Sequence, residues 1–355
     1  MQEDNGMKLI DMHCDTISEL WKKGGEESLA QNRLCVDIPG MKRAGSLAQF
    51  FACFVNVSDI AREMAQQKSA EIADEVKQKK TTAFMGEEYA EEKLWDAAWE
   101  HVLTLIEYAR RQESEELSFI AKESEIEEQA VKGRISGILT VEEGGVLNGR
   151  AERLSVLYEQ GVRLITLTWN YENCLGFPNS RDPETMRKGL KPFGKEMVGE
   201  LNRLGILIDV SHLSDGGFWD CLKISRAPII ASHSNARALC AHPRNLTDEM
   251  LHALGEAGGI VGVNFYSSFL TGERKATLHD IARHAAHMVR NAGEEAVALG
   301  TDFDGFEPKS LPLGIRGIQD MEKLWTEMKK EGFTERQLDK IWYKNVGRVM
   351  RNVWK

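Results

Sequence analysis

The residues with the clearest chemical potential are His13 and Asp15, which lie two positions apart at the end of an apolar run near the start of the chain. In a β-strand, side chains two positions apart point to the same face, so this imidazole and this carboxylate can bind one metal ion together. His-x-Asp alone is a weak signal, because it occurs by chance in many proteins. The pair indicates a metal-dependent hydrolase if other polar residues of the chain join it.

Polar residues of the same kind end several other apolar runs. They are Glu142, His212, His233 and Asp302. The chain has nine histidines, and three of them stand at such ends. His212 and His233 are about one βα unit apart, which would place both imidazoles on neighbouring strands at one height. Together these positions predict one shared site.

The elements that would position this site are short apolar runs, rich in β-branched residues, that alternate with segments of helical periodicity. The predicted strands are 8–13, 47–57, 135–142, 162–169, 206–212, 228–233, 259–265 and 296–303. Their nearly continuous hydrophobicity is typical of strands buried on both faces in a parallel sheet. Eight such strands alternating with helices predict an α/β fold, a (β/α)8 barrel, whose active site lies at the C-terminal ends of the strands.

The chain is long for one domain, but α/β barrels with insertions reach this length. We predict a single metal-dependent hydrolase barrel over residues 1–355, with a helical insertion at about 58–134. Residues 320–355 are predicted to form two amphipathic helices that close the structure. Residues 170–194, rich in Asn, Gly, Pro and Arg, form a loop longer than a connector needs, and such loops tend to be functional.

Composition argues against several classes of protein. The net charge is −10, with acidic residues spread along the chain, which argues against a nucleic-acid partner. No apolar run approaches the ~18 residues that a membrane span needs, and the start of the chain lacks the pattern of a secretory signal. The six cysteines form no CxxC pair and are predicted to be reduced thiols. These features predict a cytoplasmic protein without a membrane partner.

The types of side chain at the predicted site limit the choice of metal. Imidazole and carboxylate ligands without thiolate suit Zn²⁺, with Mn²⁺, Co²⁺ and Fe²⁺ as alternatives. Glu142 comes between the first ligand pair and the two later histidines, so we predict that it bridges two ions. A two-metal site of this kind can hold a hydroxide that attacks a substrate.

Six short motifs at or near the predicted strand ends can be taken together. They are His13-x-Asp15, Thr140-Val141-Glu142 followed by glycines, Ile165-Thr166-Leu167-Thr168-Trp169, Asp209-Val210-Ser211-His212, Ser232-His233-Ser234 and Gly300-Thr301-Asp302-Phe303-Asp304-Gly305. This set resembles the membrane (renal) dipeptidase family of the amidohydrolase superfamily. The resemblance covers nearly the whole chain, and the spacing of the motifs is highly specific.

The resemblance implies a role for each residue of the predicted site. It implies that one zinc is held by His13 and Asp15, that the other is held by His212 and His233, and that Glu142 bridges them. Two further residues follow by the same resemblance. Asp302 falls on the family's proton donor and acceptor, and Arg244 falls on the arginine that binds the free carboxylate of the substrate.

The chain leaves one assignment open and departs from the family pattern once. Glu142 and Glu143 are adjacent, and gapless spacing from the fourth strand selects Glu142, whereas an insertion would select Glu143. The fourth strand ends in Trp169 where the family has a histidine that is thought to contact the substrate or stabilise the tetrahedral intermediate. Tryptophan can donate a hydrogen bond but cannot carry a charge, so activity is expected to be retained with altered preference or to be weakened.

These observations predict a binuclear zinc dipeptidase that hydrolyses the peptide bond of dipeptides by a metal-bridging hydroxide. The expected partner is a small peptide substrate. A homodimer is implied only by the resemblance, since family members are often dimeric. Two alternatives stay open, which are another amidohydrolase acting on an N-acyl amino acid or a lactone, and a catalytically weak metal-binding homologue.

Overall fold

A computed structural model describes residues 6–24, 27–66 and 87–355, with the backbone alone for 87–91. Nine parallel strands form one sheet: β1 (Leu9–Cys14), β2 (Ser46–Phe54), β3 (Leu117–Phe119), β4 (Ile135–Glu142), β5 (Val162–Thr166), β6 (Leu207–Asp209), β7 (Ile230–Ser234), β8 (Ile260–Val263) and β9 (Val297–Leu299). Eight of them close into a barrel, because β2 pairs with both β1 and β4, and β9 pairs with both β1 and β8. The predicted (β/α)8 barrel is confirmed.

Helices connect the strands and surround the barrel. They are α1 (Thr16–Lys22), α2 (Ile38–Arg43), α3 (57–66), α4 (Glu87–Arg110), α5 (Glu125–Val131), α6 (Glu152–Glu159), α7 (Pro183–Arg187), α8 (Pro192–Leu204), α9 (Asp215–Ile224), α10 (Asp248–Glu256), α11 (Ser267–Thr271), α12 (Leu278–Ala292), α13 (Met321–Lys330), α14 (Glu335–Asp339) and α15 (Asn345–Val353). In the described ranges no helix combines the length and the apolar character that crossing a bilayer requires.

Each of the eight predicted strands corresponds to one barrel strand. The strand β3 was not predicted: it lies inside the segment 58–134 that was predicted as a helical insertion, and it pairs with β4, Leu117 lying opposite Ile135. Its three residues are too few to show a strand periodicity. Residues 67–86 of the segment 58–134 lie outside the described residues. The segment 320–355 also differs from the prediction of two helices, since α13, α14 and α15 divide it with a π-helical turn at Lys340–Lys344.

The interior of the barrel is a separate apolar cluster that draws on all eight closed strands. Its members include Ile10, Ala48, Phe50, Ile138, Leu164, Leu207, Ile230, Ile260 and Ala298. They share this cluster with Val346, Val349, Met350 and Val353 of α15. Because most of these strand residues lie in the first half of their strands, α15 closes the N-terminal end of the barrel. The opposite end, where the strands finish, is left for polar side chains.

Candidate active site

All residues predicted from the strand ends meet at the C-terminal end of the barrel. His13 is the penultimate residue of β1, Asp15 follows that strand directly, and Glu142 is the last residue of β4. His233 lies in β7, whereas His212 and Asp302 follow β6 and β9 by a few residues. All six residues are buried, the most exposed being Asp302 at 9%. The closed barrel therefore brings together side chains from five strands.

Glu142 is the centre of this cluster. Its Oε2 lies 3.4 Å from His13 Nε2, and its Oε1 lies 3.2 Å from His212 Nε2 and 3.7 Å from His233 Nε2. Asp15 Oδ2 approaches His13 Nε2 at 3.3 Å. Two sets of ligand atoms, each within 4.8 Å of one another, thus share Glu142: one with His13 and Asp15, the other with His212 and His233.

Hydrogen bonds orient two of the histidines. His212 Nδ1 lies 3.1 Å from Asn170 Oδ1, which accepts its proton. Ser232 donates its hydroxyl proton to Asp209 at 2.6 Å, so its oxygen accepts from His233 Nδ1 at 2.7 Å. In both rings the Nε2 atom is then unprotonated and presents its lone pair to the cluster, the arrangement that metal-binding histidines require.

Glu143 is buried beside the cluster but faces away from the histidines. Its carboxylate accepts hydrogen bonds from the backbone N–H of Gly145 at 2.8 Å and of Trp169 at 3.0 Å, and from Asn173 Nδ2 at 2.5 Å. Burial raises the pKa of Glu143 to about 7. Its φ of 103° is rare for a residue with a side chain. Of the two adjacent glutamates, Glu142 alone reaches the histidines, while Glu143 fixes the loop that carries Trp169.

Asp302 lies at the edge of the cluster. Its Oδ1 is 3.8 Å from His13 Nε2, and its Oδ2 accepts a hydrogen bond from Asn264 Nδ2 at 2.8 Å. Burial raises the pKa of Asp302 to about 6, although the neighbouring His13 opposes this shift. The φ of Asp302 is 60°, and that of His212 is 68°. Both side chains are therefore aimed into the site by turns in the left-handed region, where such residues are uncommon.

Arg244 is buried and held next to His233. Its guanidinium donates to the backbone carbonyl of His233 at 3.0 Å and to Ser234 Oγ at 3.1 Å, and it lies 5.4 Å from the centre of the Phe269 ring. The Nε–H has no hydrogen-bond partner among the described residues. Burial lowers the pKa of Arg244 to about 10, so it stays charged at neutral pH. It is thus a fixed cation with donor capacity left for a ligand.

Trp169 forms part of an aromatic wall on the other side of the site. Its ring centre lies 4.8 Å from that of Phe54, 5.4 Å from that of Tyr171 and 6.2 Å from that of His212. The ring is partly exposed. A side chain placed here presents apolar surface toward any molecule that approaches His212.

Two buried aspartates that support the site were given no role from the sequence. Asp209 accepts hydrogen bonds from Thr166 Oγ1, Ser232 Oγ and the backbone N–H of Ser211 and Ser232. It thereby ties the ends of β5, β6 and β7. Asp11 makes the matching link between β1, β2 and β9, through Thr301 and Gln49. Asp11 alternates with His13 and Asp15 in sequence, which was the one signal that could have revealed it.

The donor set and its charge fit two divalent cations. His13 is buried, yet neither ring nitrogen has a hydrogen-bond partner among the described residues. The Nε2 atoms of His212 and His233 lie 3.0 Å apart, so their lone pairs face each other. Three carboxylates are buried around these rings, and burial raises the pKa of Asp15 to about 8. Cations would satisfy the nitrogens and compensate the carboxylates at once.

The chain was compared with families and individual proteins of known sequence or structure. Residues 4–355 match the family model of membrane dipeptidase, peptidase family M19. An uncharacterized Klebsiella pneumoniae protein from the region 5′ of pqqA is 37% identical over 224 residues, 60% of this chain and 80% of that protein. An uncharacterized dipeptidase of Schizosaccharomyces pombe is 36% identical over 226 residues, 62% of this chain but only 53% of that protein.

Solved structures agree with the family match. A metallopeptidase from Rhodobacter sphaeroides, crystallised with a phosphinate mimic of the dipeptide L-Ala-D-Ala, superposes with a TM-score of 0.80. It is 26% identical, and the alignment covers 98% of this chain and 99% of that one. The match over 4–355, the barrel and these relatives together establish that the chain belongs to the membrane dipeptidase family, peptidase family M19, and is a hydrolase of the metallopeptidase type.

Proposed function

We propose that the protein is a binuclear metal dipeptidase. The observation that carries this proposal is the position of Glu142, whose two carboxylate oxygens face different histidines on opposite sides of the barrel mouth. One ion would be held by His13, Asp15 and Glu142, and the second by Glu142, His212 and His233. Zn²⁺ is the proposed metal, since the set is made of imidazoles and carboxylates; Mn²⁺, Co²⁺ and Fe²⁺ suit the same donors.

Two divalent ions bound at these residues would make water acidic enough to attack at neutral pH and would polarise the carbonyl of the peptide bond. The protein residues then have to position the substrate and to move a proton. Asp302 is placed for the second task, since its Oδ1 points toward His13 while Asn264 holds its Oδ2. A carboxylate whose pKa burial has raised to about 6 can take a proton from water and deliver it to the leaving amine.

Arg244 is proposed to bind the C-terminal carboxylate of the substrate. Its guanidinium is fixed by Ser234 and by the backbone of His233, one of the proposed ligands, so the cation has a set position relative to the metals. A carboxylate bound there would place the preceding peptide bond over the metal centre and would restrict substrates to short peptides. Trp169 would contact the first residue of the dipeptide with its apolar ring.

The proposal is tested with the purified protein reconstituted with Zn²⁺ and assayed on free-acid dipeptides of L,L and L,D configuration, N-acetyl amino acids and a lactone. Hydrolysis of dipeptides well above the other two classes is expected. Faster hydrolysis of N-acyl amino acids or lactones would favour another amidohydrolase, and no hydrolysis at all with both ions bound would indicate a metal-binding homologue.

Location and assembly stay predictions. All six cysteines are free in the structure, and the cytoplasmic location stays a prediction. Size-exclusion chromatography with light scattering tests the homodimer that the family resemblance implies.

A further inference from the structure

A cavity of about 490 Å³ adjoins the candidate active site. One wall is formed by Ser180, Arg181, Pro183, Met186 and Arg187, and the other by residues 241–243, together with Asp215 and Arg237. Both walls continue into the site. Asn179, next to the first wall, donates from its backbone N–H to the carbonyl of His212 at 2.7 Å, and Pro243 directly precedes Arg244 in the chain.

The lining of this cavity carries uncompensated positive charge. Arg237 and Asp215 neutralise each other through a bidentate ion pair at 2.7 and 2.8 Å. Arg181 and Arg187 are exposed, and within the described part of the chain neither forms an ion pair or a side-chain hydrogen bond. Two guanidinium groups therefore line the cavity without an acidic partner, as expected for a surface that receives an anion.

His242 adds a neutral hydrogen-bond donor to the lining of the cavity. Its Nδ1 accepts the backbone N–H of Arg244 at 3.2 Å, and its ring packs on Phe269 at 4.6 Å between centres. Burial and the charge of Arg181 lower the pKa of His242 to about 4, so the ring is neutral and its Nε2 carries the proton. Arg181 is thus close enough to His242 for its charge to act on that ring, and both residues line the cavity.

The position of the cavity relative to Arg244 indicates which part of a substrate would enter it. In the proposed function Arg244 binds the carboxylate on the Cα atom of the second residue of the dipeptide. The side chain of that residue leaves the same Cα atom, and the cavity wall at 241–243 lies immediately before Arg244. With the substrate carboxylate on Arg244, the side chain on the same Cα atom would start next to this wall of the cavity.

We propose that this cavity selects dipeptides whose second residue has an acidic side chain, and that Arg181 binds that side-chain carboxylate. The inference rests on the proposed dipeptidase function and names its substrate class. Such a substrate carries two carboxylates at its C-terminal residue, one for Arg244 and one for Arg181. An amide side chain of the same shape lacks the charge and should be bound less well.

The test compares kcat/KM for Ala-Glu and Ala-Gln, each with L and D configuration at the second residue, using the zinc-loaded enzyme. Arg181→Ala removes the proposed contact. Arg181→Lys keeps the charge but loses the planar guanidinium that can donate two parallel hydrogen bonds to a carboxylate. Arg290→Ala is the matched control, because Arg290 is an exposed arginine in the last turn of α12, which leads toward the closed N-terminal end of the barrel. Thermal unfolding of each variant verifies its fold.

In at least one configuration we expect the wild type to prefer Glu over Gln by roughly 10-fold or more. The ratio should fall toward one in Arg181→Ala, take an intermediate value in Arg181→Lys and persist in Arg290→Ala. It should also shrink as NaCl is raised from about 0.05 to 0.5 M, because salt screens a partly exposed ion pair. A ratio near one in the wild type, or a ratio unchanged by Arg181→Ala, would overturn the inference. Cleavage of any of these dipeptides or of Ala-Ala by the wild type tests the proposed function separately, and cleavage of none of them would refute that function instead.

Discussion

The Nε2 atoms of His212 and His233 lie 3.0 Å apart, while the Nδ1 atom of each ring is held by a hydrogen-bond acceptor. Asn170 holds one ring, and Ser232, itself fixed by Asp209, holds the other. Both lone pairs are therefore directed at the same small volume next to Glu142. This arrangement is unfavourable without a cation and favourable with one, which makes metal content the most direct test of the site.

Metal analysis of protein purified without chelator and reconstituted with Zn²⁺ should give two ions per chain. Because the ions bind the folded state, adding a chelator should lower the melting temperature as well as the activity. His233→Ala should retain fewer ions than the wild type. A content of one ion or none after reconstitution would contradict the two-metal assignment.

Asp302→Asn should keep both ions and the fold while kcat drops by roughly 10²-fold or more, the usual effect of losing a general acid–base group. The amide can still accept the hydrogen bond of Asn264, but it cannot carry the proton. Metal analysis and circular dichroism accompany the kinetics. Loss of an ion from this variant would show that Asp302 is a ligand, contrary to our assignment.

Arg244→Ala should lower kcat/KM for a free-acid dipeptide by roughly 10- to 100-fold, the value of about 1.5–3 kcal/mol for a charged hydrogen bond. The C-amidated form of the same dipeptide should be a poor substrate of the wild type, and the substitution should affect it little. Steady-state kinetics on both substrates and both enzymes measures the coupling. Equal rates for acid and amide on the wild type would rule out the carboxylate contact.

Asp209→Asn should weaken zinc binding by roughly 10- to 100-fold, because it disturbs the serine that orients His233. Asp209 accepts hydrogen bonds from hydroxyl and backbone N–H groups, and the side-chain amide of the variant would point its own N–H groups at these donors. The free energy of unfolding should therefore fall by about 1–3 kcal/mol. Zinc titration with a competing chelator gives the affinity. Asp220→Asn serves as control, since Asp220 accepts the backbone N–H of Leu190 away from the histidines, and its affinity should match the wild type.

His284 should make the stability depend on pH. Its Nδ1 accepts the N–H of Ala236 at 3.2 Å and its Nε2 donates to Leu270 O at 2.9 Å, and burial lowers its pKa to about 4 from an ordinary 6.5. Between these values the unfolded chain binds a proton that the folded chain does not, so the free energy of unfolding falls as the pH falls from 6.5 toward 4.

The size of this loss should be roughly 1–3 kcal/mol. Urea unfolding at pH 7.5 and pH 5 measures it. His284→Asn cannot titrate, so its stability should change less between the two pH values, whatever its absolute stability. A variant with the same pH dependence as the wild type would assign the effect to other groups.

The barrel was predictable because buried parallel strands are continuously apolar, and the polar residue that ends each run stands out against that background. Features that arise from contacts between distant segments were not visible. Glu142 and Glu143 are adjacent and identical in type, and only the backbone turn at Glu143 separates their directions. The role of Asp209 depends on hydroxyls of β5 and β7, and the cavity at Arg181 depends on how the 170–194 segment folds back on the loop after β7.

Because α15 closes one end of the barrel, the residues that stabilise the fold by packing and the residues that contact the substrate lie at opposite ends. Apolar side chains of α15 complete the interior at one end, and the loops after β5 and β7 carry Trp169 and Arg244 at the other. A substitution that changes substrate choice at the open end leaves the packing at the closed end intact. The fold can therefore explore new specificities with little loss of stability, which suits a scaffold that varies its substrates by changing loops.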